Sequence, residues 1–147
     1  NEVVAADVAG PWPLTDGFSF VLVMTCLFSR FTMLMPLVST TALETAQVLL
    51  RHWILVFGPP RRLLTDRGTN FTSEVITELG RFLGFDKVVT TAYNPAGDPA
   101  ERRFRHLSNS IAAAAGVGEP WPNVLASCAY AYNVSYNRMT GSVPFFT

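Results

Sequence analysis

Hydrophobic and polar positions divide the 147-residue chain into two regimes. Up to Leu37 the apolar residues come in short runs rich in β-branched and aromatic side chains, the signature of strands. Glu2 to Val8 reads as a first extended segment, broken by Gly10-Pro11-Trp12-Pro13. Thr15-Asp16-Gly17 signals a turn, Phe18 to Phe28 a second strand, Ser29-Arg30 another turn and Phe31 to Leu37 a third strand. From Thr41 the period lengthens. Thr41 and Glu44 form a capping box, followed by Leu43, Ala46, Leu50, Trp53 and Ile54 at helical spacing, and Gly58-Pro59-Pro60 ends that helix. Arg62 to Thr65 is a short strand. Ser73, Ile76, Leu79, Phe82 and Leu83 outline a second helix closed by Gly84, and Lys87 to Thr91 is a fifth strand. Asn94 to Ala100 is a loop; Asp98 caps a helix from Pro99 toward Ala115, and a last helix runs from Pro120 to about Tyr132. The order βββαβαβαα predicts an α/β fold: a mixed five-stranded sheet with helices on both faces.

The length suits one domain, residues 1–147, and Asn1-Glu2 reads as the start of an excised piece. Only 15% of residues are charged, against roughly 25% in ordinary domains, which excludes a disordered or charged tail. Eleven Phe and three Trp can fill a core and leave apolar surface for a partner. Strictly apolar runs such as Phe20 to Met24 are too short to span a bilayer. The net charge is zero, so any nucleic-acid binding must come from local patches. Cys26 and Cys128 lack metal-ligand spacing and read as small buried hydrophobes, and His52 and His106 stand apart from other ligand types.

Asp7 and Asp66 each fall at the C-terminal end of a predicted strand, where ligands of α/β sheets gather. Glu101 opens a helix after a loop long enough to bring it back to them. Three carboxylates from separate elements suit a hard cation. Two Mg²⁺ or Mn²⁺ ions held there could clamp the attacking and leaving oxygens of a phosphodiester. Taken singly, each Asp is equally a turn or cap residue, and Glu101 fits a capping box without any metal. Arg102, Arg103 and Arg105 surround Phe104 and suit contact with DNA phosphates, or form a solvated helix face. Arg61 and Arg62 have the same two readings. Trp53, Phe57 and Phe82 read as core or as a dimer face.

The stretch Phe57 to Ser73, and within it Thr65-Asp66-Arg67-Gly68-Thr69-Asn70-Phe71, resembles the catalytic core of retroviral and gypsy-type LTR-retrotransposon integrases. Asp7-Val8-Ala9-Gly10-Pro11 is similar to the family's first-aspartate segment, and Thr91-Ala92-Tyr93-Asn94-Pro95 to the segment before its glutamate. Ala131-Tyr132-Asn133 and Thr140-Gly141-Ser142-Val143-Pro144-Phe145 resemble its closing motif. The resemblance implies a ribonuclease-H-like fold and a D,D,E metal-binding triad of Asp7, Asp66 and Glu101. It also implies two divalent ions, DNA as partner through Asn94 and the arginines, pairing of cores as homodimers, and a nuclear location. No small-molecule substrate and no membrane are expected.

Thirty-four residues separate Asp66 from Glu101, one fewer than in the family. Without a gap, Arg102 takes the glutamate position; with one loop residue deleted, Glu101-Arg102 matches the family's Glu-Arg pair. The deletion is preferred, because loops absorb length changes. Pro99 in this loop, and Cys26-Leu27 where the family has Asp-Arg, read as marks of a host-domesticated vertebrate copy. Two functions stay open: an integrase core active in 3′-processing and strand transfer, or a catalytically silent fold serving as a dimerisation or nucleic-acid-binding scaffold. A ribonuclease-H-type nuclease is a weaker third.

Overall fold

A computed structural model describes residues 1–66, 68, 71, 73–89 and 99–147, the last stretch without the side chains of 99–104 and 115. Strands β1 (Val3–Ala9), β2 (Phe20–Cys26) and β3 (Thr32–Leu37) form an antiparallel meander. Strands β4 (Arg62–Thr65) and β5 (Asp86–Val89) join it in parallel, giving the spatial order β3-β2-β1-β4-β5. The helices are α1 (Ala42–Leu49), α2 (Leu55–Phe57), α3 (Glu74–Leu83), α4 (Pro99–Gly116) and α5 (Trp121–Asn133). The element order read from the sequence is therefore the one observed. The β1–β2 connection depends on Gly10, whose φ is +123° and where a Cβ would stand 2.8 Å from the Ser19 carbonyl oxygen.

The sheet buries both faces. On one side Val4, Ala6, Leu22, Met24 and Leu63 pack with Leu49, Trp53, Phe71 and Ile76. On the other, Val21, Val23 and Leu34 meet Leu107 and Ile111 of α4 and Trp121 and Leu125 of α5. Strand alternation thus sends successive side chains to different helical layers.

Thr41 accepts the Glu44 backbone N–H, as a capping box requires. The Glu44 carboxylate reaches further back than the motif predicts, accepting from the backbone N–H groups of Val38 and Ser39, both at 2.7 Å. It thereby ties the end of β3 to the start of α1. Between α1 and α2 lies a π-helical turn, Leu50–Ile54, in what the sequence reads as one regular helix. The wider turn brings consecutive Trp53 and Ile54 into the core, and Trp53 donates its indole N–H to the Asn1 side chain.

Leu43 and Cys128 stand outside their expected places, and Phe82, read as core or as a dimer face, is not core. Leu43 is 60% exposed, because Thr45, Ala46 and Leu49 form the inward stripe of α1. Phe82 is 88% exposed, since Ile76 and Gly80 are the buried positions of α3. Cys128 is half-buried at the margin of the second cluster. Cys26 is buried as expected. Burial alone would raise its thiol, but hydrogen bonds from the Ser29 side chain and the Ser29 and Phe28 backbone outweigh it and hold the pKa below the ordinary value.

Asn133, at the end of α5, is 3% exposed. Its carbonyl accepts the Thr32 N–H and its amide donates to the Thr32 carbonyl, both at 2.8 Å. This locks α5 onto the outer strand. Asn133→Ala strands two buried backbone groups, so urea unfolding should show a loss of about 3 kcal/mol.

Candidate metal and nucleic-acid site

Strands β1 and β4 pair from Val3↔Arg62 to Ala6↔Thr65, where β4 ends. Asp7 and Asp66 are the next residue on each chain. β1 runs on beside β2 alone, with Asp7 opposite Val23. Asp7 therefore lies inside β1, two residues before its end, while Asp66 follows the last residue of β4, on parallel strands that run about 4.8 Å apart. The register places the backbones of Asp7 and Asp66 next to one another in sequence step, each one residue past the last β1–β4 pair.

Each carboxylate is oriented by the backbone. Asp7 is half-buried, and its Oδ1 accepts the Val8 N–H at 2.8 Å. Asp66 is exposed, and its Oδ1 accepts the Gly68 N–H at 2.9 Å, closing an Asx turn. The Phe71 N–H in turn donates to the Gly68 carbonyl, and the Phe71 ring is 1% exposed in the first core cluster. Gly68 and Phe71 are thus tied to each other and to the core.

Asp7 shares its face with Val23, the face on which Leu107 and Ile111 seat α4. The backbone of α4 starts at Pro99, so Glu101 belongs to its first turn. The side chains of Glu101, Arg102 and Arg103, and the whole of Asn94, lie outside the described residues. Arg105 is exposed. With His106, Asn109, Ser110 and Ala113 it lines a shallow groove of about 370 Å³ along α4. Arg62 is exposed, and exposed Arg61 pairs with Glu2 at 3.4 Å, a surface contact of small energetic weight. Among the described residues no three His, Cys, Asp or Glu side chains come together to hold a metal ion.

Carboxylate oxygens are hard donors. Mg²⁺ is held by one or two carboxylates, completing its shell with water and substrate phosphate, so an Asp7–Asp66 pair fits that ion. Sequence reasoning missed one nearby feature. Trp12 and Trp121 stand 6.0 Å apart beside a cleft of about 420 Å³, and Trp121 donates its indole N–H to the Pro13 carbonyl. Trp12 is legible in the sequence only as part of a chain break.

A family model described as the integrase core domain matches residues 1–95. The chain belongs to the integrase core domain family. The match takes in Asp7 and Asp66 and stops short of Glu101. The gypsy retrotransposon integrase-like protein 1 of Mus musculus is 25% identical over 147 residues, covering 99% of this chain. This integrase core spans 28% of that relative's length. The retrovirus-related Pol polyprotein from transposon 412 of Drosophila melanogaster is 23% identical over 97% of this chain, which spans 12% of it. The catalytic core domain of BIV integrase superposes with a TM-score of 0.76 at 23% identity, covering 99% of this chain and 91% of that one. The ribonuclease-H-like fold expected from the sequence is thereby shown.

Proposed function

We propose that this chain is the core of a retroelement-derived integrase that binds DNA and performs metal-dependent phosphoryl transfer. Water first attacks a phosphodiester near a DNA end, releasing the terminal nucleotides with a 5′-phosphate and leaving a recessed 3′-hydroxyl. That hydroxyl then attacks a phosphodiester of target DNA and displaces the target's 3′-oxygen, each step by in-line attack without a covalent enzyme intermediate. The observation that supports this reading is the β1–β4 register, which ends at Ala6↔Thr65, one residue before Asp7 and Asp66 on their respective strands. In this reading Asp7, Asp66 and Glu101 hold two Mg²⁺ or Mn²⁺ ions, and such ions supply charge neutralisation at the attacking and leaving oxygens. Asp7 offers a carboxylate fixed in the central strand, and Asp66 one held by its Asx turn. Positioning by these two residues lowers the entropic part of the barrier.

The silent scaffold is the competing reading, favoured by the one-residue-short interval of 34 between Asp66 and Glu101. A third proposal concerns self-association. Phe31, Phe57, Phe145, Tyr130 and Phe146 form a chain of ring contacts with centroids 5.5–6.3 Å apart. It leaves Phe57, Tyr130, Phe145 and Phe146 between 43% and 79% exposed. A second copy of the chain covering this aromatic face accounts for apolar side chains left in water. A nuclear location is proposed from the family alone.

Three measurements test these statements. Millimolar Mn²⁺ should raise the melting temperature of the wild type by about 3 °C or more, and a branched DNA substrate should undergo strand transfer. Asp66→Asn should abolish both; an unresponsive wild type leaves the scaffold reading. Arg105→Ala should weaken binding of duplex DNA across sequences and reduce the salt-dependence slope by about 1. Phe146→Asp should shift the sedimentation mass from dimer to monomer, whereas a wild type that is monomeric at high concentration overturns the self-association proposal.

A further inference from the structure

We propose that Lys87, on the outer strand β5, is the positioning residue for the Asp66 carboxylate. It is the chain's only lysine. Its ammonium donates to the Phe71 carbonyl at 3.0 Å and to the Thr77 hydroxyl at 3.1 Å. The Thr77 hydroxyl in turn donates a hydrogen bond to the Ser73 carbonyl at the start of α3. One cation therefore binds the outer strand, the first turns of α3 and the anchor residue Phe71 together.

From Phe71 the connection runs back to the acid. The Phe71 N–H donates to the Gly68 carbonyl at 3.0 Å, and the Gly68 N–H donates to Asp66 Oδ1 at 2.9 Å. A burial argument alone fixes the Phe71 ring, which is 1% exposed. It does not fix the direction of the Phe71 carbonyl, and the Lys87 bond does. A charge-assisted bond from an ammonium to a carbonyl is among the stronger hydrogen bonds. Lys87 sits opposite Leu63 in the β4–β5 register, three residues before Asp66 on the neighbouring strand. The same pair of strands that carries Asp66 thus also carries the group that orients it. Lys87 acts on Asp66 through Phe71 and Gly68.

The inference rests on the metal-binding reading only for its consequence, and its test separates the two. Amide exchange is measured on the full chain for wild type, Lys87→Met and Lys87→Arg. In Lys87→Met the Gly68 and Phe71 amides should exchange about tenfold faster, with the amides of β1 and β2 unchanged, and Lys87→Arg should restore most of the protection. Unchanged exchange at Gly68 and Phe71 in Lys87→Met overturns the proposal. The Mn²⁺ concentration at half-maximal thermal stabilisation should rise about tenfold in Lys87→Met and return toward wild type in Lys87→Arg. A wild type that ignores Mn²⁺ removes the metal reading, while the exchange rates still decide the role of Lys87. Should Lys87→Met fail to fold, Lys87→Gln keeps a shorter, uncharged donor, and the same loss of Gly68 protection is expected in it.

Discussion

The parallel pairing of β1 with β4 is the constraint on which the site depends. These strands are separated by two antiparallel strands and a helical segment in the chain, yet they are neighbours in the sheet. Parallel strands need a crossover, and here β2, β3, α1 and α2 lie between them in sequence. The pair is four residues long, and its end decides where the carboxylates fall. A slip of one residue along β4 would place Asp66 beside Ala6 or Val8 and turn it toward the opposite face of the sheet. The buried Leu63, in the first core cluster, and buried Thr65 pin the register, because a shifted β4 would exchange buried for exposed positions.

The two faces of the sheet have different duties. The face toward α1 and α3 is a continuous apolar layer with the Trp53 and Phe71 rings fully enclosed. The face toward α4 and α5 is smaller, and at its β1 margin it carries Asp7 in place of an apolar side chain. A half-buried carboxylate there is costly unless hydrogen-bonded or paired with a cation. The Val8 N–H offsets part of that cost. Asp7 borders that cluster, with Val23 opposite it and α4 on the same face of the sheet.

Much of this was legible in the sequence. Arg62 to Thr65 was bounded by Pro60 and Asp66 and emerged as a strand with those bounds. Thr41, Gly58 and Gly84 marked helix ends because their capping chemistry is local. Asp66 follows the end of β4 as the sequence reads it, whereas Asp7, expected at a strand end, lies inside β1, which continues to Ala9 beside β2. The π turn at Leu50–Ile54 was not legible, since its residues keep an ordinary helical apolar pattern and only packing of both Trp53 and Ile54 demands the wider turn. Nor was the Asn133 clamp, whose two partners lie 101 residues away. Leu43 misled, and Phe82 was left between core and surface, because apolar spacing does not say which edge of a stripe faces inward.

The sequence by itself determined the kinds of element, their order and the residue types able to do chemistry, because propensities, caps and turns act over a handful of neighbours. The tertiary structure decided which strands lie side by side, which apolar side chains stay in water and which backbone groups steady Asp66. Those outcomes depend on burying two faces of one sheet at once. That condition couples Lys87 to Phe71 and Asp7 to Val23 across distances no local pattern can encode.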